Sequence, residues 1–136
     1  MTGARWLRSG PPFPEAELMI VATYRRGISS DVYISTLDPI LAPRLGGALV
    51  RSAVHLYTPE PVPFPSPAQM RVGGWDWSFV PVVLEAKQVA VAARHADQGF
   101  EFLKIYSPTR LVEGLGLTEG CLVNVEFLSG VHLDMP

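Results

Sequence analysis

Arg25-Arg26-Gly27-Ile28-Ser29-Ser30-Asp31 puts two guanidinium groups, two hydroxyls and a carboxylate into one short stretch. That is chemistry for a phosphate. A guanidinium meets phosphate oxygens through paired, charge-assisted hydrogen bonds, and Ser29 and Ser30 add hydroxyl donors. Asp31 offers a carboxylate to a metal ion. The same residues also suit a solvated hairpin tip, with Asp31 as a turn residue at the start of a strand.

A second cluster is Gly73-Gly74-Trp75-Asp76-Trp77. Two indoles on a glycine-opened loop can sandwich a flat ring. They can equally close one end of a barrel or bury a subunit contact. His55, His95 and His132 are scattered, without carboxylate or cysteine neighbours at ligand spacing, which argues against zinc. Cys121 is the single cysteine, so no internal disulfide forms, and it reads as a small buried hydrophobe. Phosphate-loop, nucleophile-elbow and zinc-protease motifs are absent from the sequence.

The elements that must position these groups are short. The chain has 136 residues, 48% hydrophobic and 18% charged, which fits one domain with a real core. Its formal net charge of −2 disfavours a nucleic-acid partner. The sequence has no apolar run long enough for a membrane span and no signal-like leader, so a soluble, cytoplasmic protein is expected. Residues 1–16 read as an irregular arm, 17–129 as the domain and 130–136 as a tail.

Leu18 to Tyr24 reads as a buried strand and Asp31 to Thr36 as its returning hairpin partner. Pro39 and Pro43 limit any helix between residues 37 and 47 to a turn or so. Ala48 to Tyr57 reads as a longer strand. The alternating prolines from Pro59 to Pro67 predict an extended strap lying over the barrel. Phe79 to Leu84 and Gln88 to Ala93 predict strands about a turn at residues 85–87, and Glu101 to Tyr106 predicts another.

Ser107 is expected to cap a helix over 108–115 with Pro108 at its first position. Gly116 should end that helix in the left-handed conformation, with Leu117 folding back. Glu119-Gly120 then turns into a last strand, Leu122 to Phe127. The fold class is therefore all-β: a six-stranded barrel with one short helix.

The run Ser107-Pro108-x-x-Leu111-x-x-x-Leu115-Gly116-Leu117-x-x-Gly120-x-x-Val123-x-Val125 resembles the C-terminal end of the archaeal-type CTP-dependent riboflavin kinases. Gly27 through Ser35 resembles that family's first hairpin, and Gly47-Ala48-Leu49-Val50 falls where the family has Gly-Thr-Leu-Asn. Arg94-His95 falls where it carries Arg-Thr. The resemblance spans residues 18–127 loosely and 100–127 well.

It implies that Arg26, Gly27, Ser29 and Ser30 lie near the nucleotide, with backbone N–H groups around Gly27 cradling phosphate. Arg94 and Tyr106 are implied near the acceptor, and magnesium is the implied cofactor of phosphoryl transfer. The departures fall on working parts. Ala48 and Val50 stand where the family's Thr and Asn hold the metal, Lys104 stands for a Glu near the flavin, and the loop keeps a single glycine.

Three functions follow as expectations. One is CTP-dependent phosphorylation of riboflavin to FMN. A second is a non-catalytic barrel binding a flavin, nucleotide or other small aromatic ligand, with Trp75 and Trp77 as its platform. The third is an interaction or DNA-binding barrel.

Overall fold

A strand flanked by apolar side chains on both faces needs cover on both faces. Phe79 to Leu84 is such a run, and its strand organises the molecule. A computed structural model describes residues 16–27, 33–65, 67–95 and 101–128. Among these lie seven strands: β1 (Ala16–Arg25), β2 (Val54–Tyr57), β3 (Ala68–Val72), β4 (Trp75–Leu84), β5 (Gln88–His95), β6 (Phe102–Tyr106) and β7 (Leu122–Leu128). Two helices accompany them, α1 (Ile34–Leu45) and α2 (Leu111–Leu115).

Strands β4, β5, β6, β2, β1 and β7 pair in that order, all antiparallel, and β7 returns to β4. The result is a closed six-stranded barrel. The seventh strand, β3, extends the sheet by pairing with the first half of β4.

Alternate residues face inward. Val80, Val82 and Leu84 of β4 meet Ala92, Ile105, Leu56, Ala22 and Val125 in the interior. The outward set of the same wall (Trp77, Phe79, Val83, Val91, Ala93 and Tyr106) is buried beneath Ile34, Leu37, Leu41 and Leu45 of α1. Both ends of the barrel are plugged. Val62 and Phe64 of the proline strap leave the C-terminal end of β2 and close one end. Leu111, the first residue of α2, and Leu117, just beyond its end, pack into the other.

Several local expectations are corrected. The predicted returning strand is helical from Ile34, so the chain carries two helices and not one. Its buried residues recur at helical spacing, while Pro39 and Pro43 sit on the exposed face, where their missing N–H groups leave the packing intact. The strand expected from Ala48 begins only at Val54.

The expected aromatic loop is a hairpin. Gly73 and Gly74 have φ of 60° and 82°, as a two-residue turn with both φ positive requires, and β4 starts at Trp75. Helix α2 starts at Leu111, not at Pro108, and Ser107 Oγ instead accepts the Thr109 N–H at 3.0 Å in a tight turn before it. Gly116 does end α2 at φ 64°, and Leu117 is buried. No helix among the described residues is long and apolar enough to cross a membrane.

Candidate functional site

Three distant segments meet at the α2 end of the barrel. Tyr24, Arg26 and Gly27 arrive on the end of β1. Val50, Ser52 and Val54 arrive on the approach to β2. Ser107, Thr109, Arg110 and Glu113 arrive on the turn after β6 and the first turn of α2. Between them lies a cleft of about 200 Å³, open to solvent on one side.

Each segment is tied in place. The Glu119 carboxylate accepts the Arg26 backbone N–H at 2.6 Å and an Arg25 Nη1 bond at 3.2 Å. Those hydrogen bonds, the backbone one first, hold its pKa below the ordinary value. The same tie fixes where Arg26 leaves β1. Asp38 of α1 accepts the Leu49 N–H at 2.7 Å, and Val50 N–H donates to the Ser107 carbonyl at 2.9 Å. The 47–50 segment is thereby pinned between α1 and the turn after β6. Gly47 lies so close to Pro108 that a Cβ there would sit 3.3 Å from the proline ring. Gly27 is tighter still, since a Cβ would stand 2.9 Å from His55 Nδ1.

The cleft's chemistry suits an anion. Arg26, Arg110, Ser52, Ser107 and Thr109 are among its lining residues, and the Ser107 and Thr109 hydroxyls share a 2.9 Å hydrogen bond. Glu113 is the acidic member and accepts an exposed, 3.5 Å bond from Arg110. Such an exposed pair is weak in water.

The two positions that the resemblance assigns to magnesium hold no side-chain ligand. Val50 presents hydrocarbon to the cleft, Ala48 has no ligand atom, and no group of three or more His, Cys, Asp or Glu able to hold a metal occurs among the described residues. The Asp38 carboxylate is engaged by Leu49.

The residues singled out from the sequence separate into groups. Arg26 and Gly27 line the cleft. Ser29, Ser30 and Asp31 lie outside the described residues. Trp75 and Trp77 are on the outer wall, two apart on one strand face. Trp77 is only 2% exposed, with Phe79, His95 and Tyr33 around it at ring distances of 5.0 to 6.0 Å. Trp75 is 38% exposed and leans on His95 at 5.0 Å.

Tyr106 is buried in the same outer-wall core. Lys104 is also on that wall, its Nζ 4.5 Å over the Tyr33 ring. Arg94 occupies the strap end of the barrel. It donates from Nη1 to the Val62 carbonyl at 2.9 Å and from Nη2 to the Phe102 carbonyl at 3.1 Å, and its guanidinium lies 4.2 Å over the Phe64 ring. Neither Arg94 nor Tyr106 reaches the cleft.

The sequence pattern gives Ser107 and Pro108 helix-start roles and assigns none to Thr109 or Arg110. The signal for more was there: Thr109, Arg110 and Glu113 are polar and charged residues set around Leu111 and Val112, so one side of the plug faces out. No protein-family model matches the chain, and no curated protein matches it.

Proposed function

We propose that this barrel binds a nucleotide-class small molecule by its phosphates in the cleft between the end of β1, the approach to β2 and α2. One observation carries the reading. Arg26-Gly27 and Ser107-Arg110, about eighty residues apart in the chain, line the same cleft with Val50. These are the segments that the riboflavin-kinase resemblance assigns to nucleotide, C-terminal signature and metal. Guanidinium groups and hydroxyls then supply the anion contacts, while the metal position is hydrocarbon. Binding is what this donor set supports, and phosphoryl transfer to riboflavin is the finer reading that rests on the resemblance.

Calorimetric titration of the full chain with CTP, other nucleoside triphosphates and pyrophosphate, with and without magnesium, tests it. At least one should bind. Arg26→Ala and Arg110→Ala should each weaken it about tenfold, because a hydrogen bond to a charged group contributes roughly 1.5–3 kcal/mol. Failure of every nucleotide to bind, or affinity indifferent to both substitutions, overturns the reading. Incubation with riboflavin, CTP and magnesium adds the transfer question, with FMN as its readout.

A further inference from the structure

Exposed apolar side chains scattered singly need no explanation, but a contiguous set on one face does. Of the six large hydrophobic residues exposed among the described ones, four lie on the outer face of neighbouring strands β7, β1 and β2. They are Met19 at 66%, Val21 at 50%, Leu122 at 69% and Tyr57 at 41%. The opposite wall of the barrel carries an apolar outer face that α1 buries. The β7–β1–β2 wall has no helix over it among the described residues.

The register shows how this wall is laid out. Met19 lies opposite Glu126, Val21 opposite Asn124, and Thr23 opposite both Leu122 and Tyr57. Arg25 lies opposite His55. Because Ala22 and Tyr24 point inward, Met19, Val21, Thr23 and Arg25 all point outward. The face therefore has four rows. Glu126 beside Met19 marks one end, Arg25 beside His55 marks the other, and the middle rows set Val21, Leu122 and Tyr57 among Asn124 and Thr23.

We infer that this wall is a self-association face, and that its partner is a second copy of the chain. A two-fold axis lying in the interface, across the strands and between the two middle rows, turns the face onto itself. It sets Val21 and Leu122 on the middle rows of the other copy. It also brings Glu126 against the other copy's Arg25 row. The Arg25 guanidinium keeps Glu119 at 3.2 Å and has donors left for a second carboxylate. The interface thus gathers Val21, Leu122 and Tyr57 near its centre, with Asn124 and Thr23 among them, and pairs charge at both rims. This inference stands apart from the cleft, and its readout is mass, not ligand.

Light scattering on the eluting full chain tests it at about 100 µM, where a dissociation constant in the micromolar range gives mostly dimer. The expected mass is twice 14.9 kDa. Val21→Glu should raise the dissociation constant at least about a hundredfold by placing an unpaired charge in the middle rows. Glu126→Arg should weaken the dimer about tenfold, and Arg25→Glu combined with Glu126→Arg should bind more tightly than Glu126→Arg alone. Circular dichroism checks that each variant folds. If Val21→Glu does not, Val21→Thr with Leu122→Thr keeps strand propensity and removes the apolar contact. A wild-type monomer at that concentration overturns the proposal. So does a dimer that these substitutions leave intact, because it forms through another surface.

Discussion

At Gly27, the space for one methyl group is missing. Its Cβ position is filled by the His55 ring, which itself packs edge-on against Phe102 at 5.1 Å. Gly27→Ala must push that ring aside or shift the end of β1, and overpacking of this kind costs about 1–3 kcal/mol. Because Arg26 leaves the same backbone, nucleotide affinity should fall with stability. Urea unfolding and calorimetric titration of the variant check both. An affinity loss without the stability loss would place His55 in no such contact.

Arg94 works differently. Burial lowers its pKa to about 10, with Glu101 opposing part of the shift. It stays charged at neutral pH and spends its donors on two main-chain carbonyls and a ring face. Arg94→Leu leaves those carbonyls without this donor, so a loss of about 2–4 kcal/mol is expected in urea unfolding. The linkage has a definite sign. Above about pH 10 the folded chain gives up the Arg94 proton while the unfolded chain keeps it. This residue's contribution to stability therefore rises with pH in that range. The wild type minus Arg94→Leu difference in unfolding free energy should grow between pH 10 and 11. A flat difference would contradict the buried cation.

Among the elements, the β4–β5 turn carries visible strain. Glu85 and Ala86 both have positive φ, 53° and 55°, without being glycine. Glu85 has a reason to be there: its carboxylate accepts the Asn124 N–H at 2.6 Å and ties the turn to β7. Ala86 has no such bond. Ala86→Gly should stabilise the protein by about 1 kcal/mol, since the left-handed region costs an L-residue roughly 1–2 kcal/mol. Thermal unfolding measures it, and a lower melting temperature would refute it.

Helix α1 shows why some elements were legible and others were not. Tyr33-Ile34-Ser35-Thr36 alternates over four residues and holds β-branched side chains, so a short window reads strand. Over twelve residues, Ile34, Leu37, Leu41 and Leu45 recur at helical spacing and meet a sheet face that needs cover. Tertiary burial overrode both propensity and the two prolines. β4 and β5 were legible as short apolar runs rich in valine bounded by turns, and β6 and β7 as short strands whose polar residues (Lys104, Asn124 and Glu126) alternate with apolar ones. The Gly116–Leu117 ending of α2 was legible because its signal is local. Trp75 and Trp77 misled because a Gly-Gly pair before tryptophan reads as a loop, whereas here it is the two-residue turn of the β3–β4 hairpin.

For the whole molecule, barrel closure and a mainly β architecture were readable from many short strands with frequent turns. The cleft was half readable. Arg26 and Gly27 announce phosphate chemistry by type. That Arg110 and Ser107 join them depends on where α2 lands as a plug, which no short window contains. The same plug links ligand to stability. Leu111 packs in the interior while its neighbour Arg110 lines the cleft. A nucleotide at a hundred times its dissociation constant should therefore stabilise the whole barrel by about 2.7 kcal/mol, read as a rise in melting temperature.

The last strand bears most on how such a molecule comes into being. β7 sits between β1 and β4, so it supplies the partner for the first strand and the seam for the middle one. While the ribosome is still making residues before Leu122, two long strand edges stand open, and open edges invite pairing with other chains. The ring can shut only when the final strand emerges. Until β7 pairs with both, the edges of β1 and β4 stay open, so the first and fourth strands depend on the seventh for their hydrogen-bond partners.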